Sequence, residues 1–278
     1  MGIDANVNKA CRQISRLEIQ GATNTALYAL ASLKKAKFTN LKSNVRALRK
    51  TRPTEPLMLN GLAYISQGSS QKEVTELADK YKILIEKSHA GIAKHGQKIV
   101  NRKHTVLTHC HSSTVEAILK TAKPRAVIAT ETRPLYQGHI TARNLAKHKI
   151  NVTQVVDSAA NAMMKNADVV IVGCDAITKN ASLINKIGTS GVALSAGEHG
   201  VPFYAATSLL KYDLRNVPIE YRDPREVWAN PPRGVKILNP SFDITESKFI
   251  TSFITEKGLL KPRQVPKMAM KTYPWIIR

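Results

Sequence analysis

Apolar residues in the first hundred positions recur at the spacing of α-helices. Residues 22–35 are rich in Ala and Leu. After Gln71, one apolar stripe at spacings of three and four consists of Val74, Leu77, Ala78, Tyr81, Leu84 and Ile85. The two prolines of TRPTEP, residues 51–56, indicate a loop between these helices. The pattern therefore predicts a helical N-terminal domain over residues 1–100.

From His104 onward the apolar residues form short runs with the composition of β-strands. Stretches with a helical pattern separate the runs HTVLT, RAVIAT, VTQVV, DVVIV and PFYAA. Alternating strands and helices are typical of a mostly parallel sheet that helices cover on both faces. We therefore predict an α/β protein in which a doubly wound, Rossmann-like sheet domain occupies residues 101–278. The proline-containing stretch after Gly258 is expected to be irregular.

Length and composition exclude several classes of protein. The chain has 278 residues, of which 43% are hydrophobic and 22% are charged. This composition allows a large core and excludes a disordered or fibrous protein. No apolar run approaches the roughly 18 residues of a membrane span, and the N-terminus lacks the apolar stretch of a signal peptide. We expect a cytoplasmic protein that does not contact membranes.

The chain is strongly basic, with 42 Lys and Arg against 20 Asp and Glu and a formal net charge of +22. Such a field attracts polyanions, including RNA, acidic proteins and phosphorylated metabolites. Aromatic residues are only 5% of the chain, and no RNA-binding motif interleaves them with basic residues. We do not expect nucleic acid as a partner. A solvated basic surface explains the same excess.

Polar side chains follow the predicted strands at the points where the strands end. In doubly wound sheets, ligands bind beyond the carboxyl ends of the strands. The residues that this rule selects are Cys110, Ser112, Arg133, Asp157, Asp175, Thr207, Ser208 and Lys211. We therefore expect a thiol, carboxylates and cations to meet at one edge of the sheet.

Cys110 is the first candidate for chemistry. A helix N-terminus and nearby positive charge would lower the thiol pKa from about 8.5 and favour a base or nucleophile. Packing is the ordinary fate of a free cysteine, but His-Cys-His-Ser is too polar for a buried strand end. A metal site at His109, Cys110 and His111 is disfavoured, because the three are contiguous and no second ligand cluster is evident. The odd total of three cysteines, without a CxxC pair, argues against a disulfide scaffold.

Asp175 is the second candidate, because an apolar strand delivers its carboxylate to the same edge. Partial burial would favour the protonated carboxyl group and allow general-acid catalysis near neutrality. By spacing alone, a turn-capping role in the following AITKN segment is equally compatible. Donors suited to phosphate oxygens are Arg52, Arg133, Asn185, Lys186 and Lys211, although any one of them could be solvated surface. Neither a Walker A sequence nor GxGxxG is present, which disfavours NTP hydrolysis and NAD binding.

Longer segments resemble the archaeal ribose-1,5-bisphosphate isomerases. These segments are LTHCHSS, ATETRPLYQGHITARNLAKHKINVTQVVDSAA, VGCDAITKNASLINKIGT, YRDPREV and NPSFDIT. The isomerases belong to a superfamily with methylthioribose-1-phosphate isomerase and the alpha, beta and delta regulatory subunits of translation initiation factor 2B. The resemblance runs from EIQGAT to NPSFDIT. The cysteine of THCHS resembles the isomerases, because the regulatory subunits typically lack it.

The resemblance implies an aldose-ketose isomerase that converts ribose 1,5-bisphosphate to ribulose 1,5-bisphosphate in AMP degradation, without metal or organic cofactor. Cys110 would remove the C2 proton, and Asp175 would be the acid at the ring oxygen. The substrate would be bound by Gly21, Ala22, Arg52, Ser112, Arg133, Asn185, Lys186 and Lys211. The resemblance also implies a homo-oligomer, either a dimer or a hexamer.

The N-terminal phosphate loop departs from the family pattern. The family resembles Arg-Gly-Ala-Gly where this chain has Gln20, Gly21, Ala22 and Thr23. Loss of one charged hydrogen bond costs about 1.5–3 kcal/mol, and backbone N–H groups at a helix N-terminus would have to compensate. The alternative function is a non-catalytic regulatory protein like those of translation factor 2B. Such a protein would bind initiation factor 2 or sense a nucleotide or sugar phosphate.

Overall fold

The computed structural model describes residues 2–215 and 217–277, and its first part is helical. The helices are α1 (Ala5–Ser15), α2 (Ala22–Lys34), α3 (Leu41–Thr51), α4 (Pro56–Ile65) and α5 (Gln71–Gly96). Helix α5 begins where the Ser70 hydroxyl accepts a hydrogen bond from the Glu73 N–H, which satisfies one of the free donors of the first turn. Its apolar stripe is buried against α2 and α4, as the spacing predicts.

Helices α4 and α5 approach each other closely at Gly61. A Cβ atom at Gly61 would lie 2.8 Å from the Tyr81 ring, so a larger residue would force the helices apart. Tyr81 is fully buried, and its hydroxyl donates to the Leu57 carbonyl at 2.8 Å. A buried hydroxyl needs such a partner, and this one ties the middle of α5 to the start of α4.

The rest of the chain alternates strands and helices. The strands are β1 (Thr105–Thr108), β2 (Ala126–Thr130), β3 (Val152–Val155), β4 (Val169–Val172), β5 (Ala176–Ile177), β6 (Leu183–Lys186), β7 (Phe203–Ala206), β8 (Phe242–Thr245), β9 (Ser252–Thr255) and β10 (Gly258–Leu260). The helices are α6 (Ser113–Ala122), α7 (Gln137–Lys147), α8 (Ala160–Met164), α9 (Thr189–Glu198) and α10 (Val265–Thr272). The predicted doubly wound α/β fold is confirmed.

The main sheet has seven strands in the order β10-β9-β7-β4-β1-β2-β3. All neighbours pair in parallel except β9 and β10, which are antiparallel. From β1 the chain moves outward to β2 and β3, then returns to place β4 on the other side of β1. The strand order therefore reverses between β1 and β4, and a crevice opens at such a point beyond the carboxyl ends of the strands.

A second, antiparallel sheet with the order β5-β6-β8 was not anticipated from the sequence. It begins immediately after Asp175 and holds Asn185 and Lys186 within β6. In β8, the Asp243 carboxylate accepts hydrogen bonds from the N–H groups of Gly188 and Ser190 at the start of α9. This small sheet therefore fixes the turn between β6 and α9.

The expectation of an irregular stretch after Gly258 is wrong. That segment forms β10 and α10, because Pro262 and Pro266 lie in the first turns of helical segments, where a missing N–H costs nothing. Trp275 then packs on Tyr64 of α4, with ring centroids 4.5 Å apart. The C-terminal residues are thus part of the core rather than a tail.

One continuous core joins the helical and the sheet regions. It includes Leu33 and Tyr81 from the helices and Phe203, Phe253 and Ile276 from the later chain. The expected division into residues 1–100 and 101–278 follows the change from helices to alternating elements and stays a prediction. No helix among the described residues is long and apolar enough to span a membrane.

Candidate active site

Cys110 and Asp175 follow the two central strands between which the strand order reverses. Cys110 comes after β1, and Asp175 comes after β4. Cys110 has φ 68°, in the left-handed region that non-glycine residues rarely adopt. Its N–H donates to the Thr132 hydroxyl at 3.0 Å, and its carbonyl accepts from Thr141 at 3.1 Å. These two bonds hold Cys110 in a strained conformation at the edge of the crevice.

The expectation that the Cys110 thiol has a lowered pKa is wrong. Burial, together with the negative charges of Asp175 and Asp157, raises the pKa of Cys110 to about 12. The positive charge of Lys186 opposes these effects but does not outweigh them. The sequence indicated the neighbouring cation correctly but not the loss of solvation, which disfavours a thiolate.

The two histidines beside Cys110 face different surroundings. His109 is buried, and its ring nitrogens bond to the Thr130 hydroxyl at 2.6 Å and the Ile187 carbonyl at 2.8 Å. Burial lowers the pKa of His109. His111 instead bonds to Thr141 at 3.1 Å. Within residues 2–215 and 217–277, no three His, Cys, Asp or Glu side chains are grouped as metal ligands would be.

Glu55 is a buried carboxyl group that the sequence analysis did not select. It is 4% exposed, and its Oε1 atom is buried without a hydrogen-bond partner among residues 2–215 and 217–277. Burial raises the pKa of Glu55 to about 7, and the nearby Asp175 charge contributes to this rise. The opposing influence of Arg52 and Lys211 on the same carboxyl places both cations in this cluster. The available signal was an acidic residue three positions after Arg52, within the predicted TRPTEP loop.

Arg52 lies between two carboxyl groups. Its Nη2 is 3.7 Å from Glu55 Oε2, and its Nε is 3.5 Å from Glu220 Oε2. The Nε atom is nevertheless buried, and no group of the described residues accepts a hydrogen bond from it. Glu220, which the sequence analysis also missed, accepts a hydrogen bond from the Thr54 hydroxyl at 3.2 Å. Arg52 therefore keeps unused donor capacity in a place shielded from water.

Lys211 links the N-terminal helices to the end of β4. Its Nζ donates to the Cys174 carbonyl at 2.5 Å, directly before Asp175. The turn that carries Lys211 is held by Asn60 of α4, whose side chain donates to the carbonyls of Leu210 and Tyr212. Cys174 itself is buried, as expected for a packing residue, and burial raises its pKa to about 12.

The N-terminal loop lies on the same side as Lys211. Gly21 precedes α2 with φ 85°, and α2 begins at Ala22. The Thr23 hydroxyl lies 3.4 Å from Nε2 of His89. Burial, together with the positive charge of Lys211, lowers the pKa of His89. The Thr23 hydroxyl of the predicted phosphate loop and the positive charge of the predicted ligand Lys211 thus both act on the His89 ring.

Ser112, Asn185 and Lys186 surround the ends of β1 and β4 from the other side. A Cβ atom at Gly173 would lie 2.7 Å from the Ser112 Cβ and 3.8 Å from the Asn185 Oδ1. Asn185 donates to the Thr189 hydroxyl at 3.0 Å. Lys186 is 9% exposed, and its charge acts on Cys110. The absence of a side chain at Gly173 is what allows Ser112 to lie this close to the end of β4.

Arg133 is the predicted ligand whose side chain is directed elsewhere. Its guanidinium donates to the Tyr136 hydroxyl at 2.9 Å and to the Val227 carbonyl at 2.9 Å. Only its backbone reaches toward the cysteine, through the N–H that donates to Asp157 at 2.7 Å. The structure therefore does not bring the Arg133 guanidinium to the other candidate residues.

The fold and these groups define an α/β protein with a cleft at its strand-reversal point that contains a thiol, carboxyl groups and several cations. The chain belongs to the initiation factor 2 subunit family, whose model matches residues 13–262. This match confirms the superfamily that the sequence motifs indicate.

The similar proteins include enzymes and translation-factor homologues. The chain is 36% identical to the ribose 1,5-bisphosphate isomerase of Methanocaldococcus jannaschii, over 97% of this chain and 96% of that protein. Identity to the enzyme of the same name from Archaeoglobus fulgidus is also 36%, over 92% and 90%. A solved structure of the Pyrococcus horikoshii translation initiation factor eIF-2B superposes with a TM-score of 0.86 at 26% identity, covering 95% and 100% of the two chains.

Proposed function

We propose that the chain is an aldose-ketose isomerase that converts ribose 1,5-bisphosphate to ribulose 1,5-bisphosphate. The observation that carries the proposal is the placement of Cys110 and Asp175 at the ends of the two central strands, next to Lys186 and Lys211. The similarity to two proteins named for this reaction supports the same substrate. Phosphates would be bound by the cations and by the N–H groups at Gly21 and Ala22.

The raised pKa of Cys110 shapes the proposed mechanism. A thiol with a pKa of about 12 is protonated at neutral pH and cannot take the C2 proton directly. The negative charge of Asp175 acts on the Cys110 thiol, so the two groups are close enough to interact. Transfer of the thiol proton to Asp175 would produce the thiolate base and the carboxylic acid together, without changing the charge of the pair.

The resulting pair has the two functions that the isomerisation needs. The protonated Asp175 would donate to the ring oxygen as the sugar opens, and the Cys110 thiolate would remove the proton from C2. The Cys110 thiol would return that proton to C1 of the enediol-like intermediate while the Asp175 carboxylate takes the proton of the C2 hydroxyl, which leaves the ketone at C2 and restores both groups. Lys186 beside the thiolate would stabilise its negative charge once it forms.

The test is incubation of the purified protein with ribose 1,5-bisphosphate while ribulose 1,5-bisphosphate is measured. We expect turnover by the unmodified chain. Asp175→Asn should bind the ligand almost as well but lose turnover severely, since an amide of the same shape cannot transfer the proton. Activity of the variant within a fewfold of the parent would remove Asp175 from its role. A folded parent that binds the sugar bisphosphate and leaves it unchanged would support the regulatory alternative.

The assembly state is a second part of this proposal. A solved structure with the same fold and 19% identity is a tetrameric complex of translation-factor subunits from Chaetomium thermophilum. We propose that this chain forms a homo-oligomer built from dimers. Light scattering of the purified protein distinguishes a dimer, a hexamer and a monomer directly, and a monomer at micromolar concentration would contradict the proposal.

A further inference from the structure

Two buried polar atoms in the cleft have no hydrogen-bond partner in the part of the chain that the structure describes. They are Nε of Arg52 and Oε1 of Glu55. The Arg52 side chain is 12% exposed and the Glu55 side chain is 5% exposed, so water cannot freely satisfy either atom. Buried donors and acceptors are almost always paired. Two unpartnered polar atoms on neighbouring side chains therefore indicate a place that a polar ligand fills.

The charges around Glu55 come from four separate parts of the chain. Arg52 precedes it in the loop after α3, Lys211 lies in the turn after β7, Asp175 follows β4, and Glu220 lies in the loop before β8. The two cations, together with the positive end of α4, favour an ionised Glu55. Burial and the two other carboxylates outweigh them, so the carboxyl group keeps its proton to about pH 7.

We propose that Glu55 determines ligand specificity in this cleft as a neutral acid: it is protonated when a phosphate group binds against Arg52, and it donates a hydrogen bond to that group. The inference rests on the proposed function for the identity of the ligand. An ionised carboxylate beside a phosphate would repel it, whereas a carboxylic acid adds a second donor beside the guanidinium. Glu55 would thus favour anionic over uncharged ligands at this position.

Proton uptake is the direct consequence. Bound phosphate adds negative charge next to Glu55 and stabilises its protonated form, so above pH 7 a proton must enter from solvent as the ligand binds. Affinity should therefore fall as pH rises above 7, by up to about tenfold per pH unit. The second ionisation of a phosphate ester, with a pKa of about 6, is nearly complete in that range and adds little.

The experiment is calorimetry of ribulose 1,5-bisphosphate binding between pH 7.0 and 8.5, in buffers that differ in ionisation heat. Every sample carries Cys110→Ala, so that heat reports binding without turnover. When the ligand binds, the protein that retains Glu55 should take up a fraction of one proton, and this fraction should increase with pH. Glu55→Gln has the same shape and cannot ionise, so its binding should show no uptake and little pH dependence. The matched control, Glu220→Gln, changes the other carboxyl group at Arg52 and should retain the uptake.

The outcomes separate this inference from the function on which it rests. Binding without proton uptake in the Glu55 protein, or equal uptake in Glu55→Gln, would overturn the role of Glu55 and leave the isomerase proposal intact. If no ligand binds to folded protein at any pH, the isomerase proposal fails as well. Should Glu55→Gln not fold, the buffer-dependent uptake and the pH dependence of affinity in the Glu55 protein still decide the question.

Discussion

The three cysteines differ in their surroundings in a way that alkylation can measure. Cys11 lines an open groove between α1 and α3, and partial burial raises its pKa, whereas burial raises the pKa of both Cys110 and Cys174 to about 12. We therefore expect iodoacetamide to modify Cys11 first, because the thiolate is the reactive species and the other two sites hold almost none at neutral pH. Timed labelling followed by mass spectrometry measures all three sites, with the unfolded chain as the control. Faster labelling of Cys110 would show a resting thiolate and remove the need for proton transfer to Asp175.

The sequence locates the catalytic candidates better than it predicts their protonation. Cys110 and Asp175 could be selected because polar residues at strand ends converge in a doubly wound sheet. Glu55 could not, because its burial depends on how the loop after α3 packs against the end of β4. The same limit explains the error on Cys110, since sequence shows which charges are near but not how much water is lost.

At the scale of elements, the spacing of β1 and β4 controls the position of Ser112. Gly173→Ala would place a Cβ 2.7 Å from the Ser112 Cβ and 2.8 Å from its Oγ, so the start of α6 must move. We expect the sugar bisphosphate to bind roughly tenfold more weakly, equivalent to about 1.4 kcal/mol. The measurement is the KM of the isomerase reaction or the Kd of its product.

A second glycine supplies the control for that substitution. A Cβ atom at Gly191 in α9 would meet nothing within 4 Å, and alanine suits a helix. Gly191→Ala should therefore retain the parent affinity and stability. Unchanged affinity in Gly173→Ala would mean that Ser112 does not bind the ligand or that α6 adjusts without cost.

The elements that the sequence failed to predict are the shortest or contain proline. Strand β5 has two residues and β6 ends in Asn185 and Lys186, so neither forms an apolar run that a strand pattern would detect. The prolines after Gly258 led to the incorrect prediction of an irregular segment, although proline is compatible with a first helical turn. Helix α5 and strand β4 were predicted correctly, because the apolar residues of α5 recur at helical spacing over a long segment and those of β4 form a continuous run.

At the scale of the whole molecule, Glu55 should make stability depend on pH. Its ordinary pKa is 4.5, and burial raises it to about 7. Between these values the unfolded chain releases a proton that the folded chain retains, so the free energy of unfolding falls as pH rises through this window. The loss would be at most about 3 kcal/mol, at 1.36 kcal/mol for each pKa unit.

Thermal unfolding of Glu55→Gln beside the parent isolates this effect from all other titrating groups. The variant should gain Tm relative to the parent between pH 5 and pH 8, because glutamine carries no charge at either pH. A constant difference in Tm would show that Glu55 titrates at the same pH in the folded and unfolded chain.

The turn that carries Lys211 also determines when the cleft can form during synthesis. Glu256 accepts hydrogen bonds from the Leu209 N–H at 3.2 Å and the Tyr273 hydroxyl at 2.7 Å, and Asn60 holds the same turn from the N-terminal side. A nascent chain that has extended past Asp175 and Lys211 already contains most of the candidate residues, but not the carboxylate and phenol that hold this turn. We therefore expect the cleft to be completed only after the segment that includes Tyr273 has left the ribosome. Until then, the unpaired charges of Arg52, Glu55 and Lys211 would remain open to solvent.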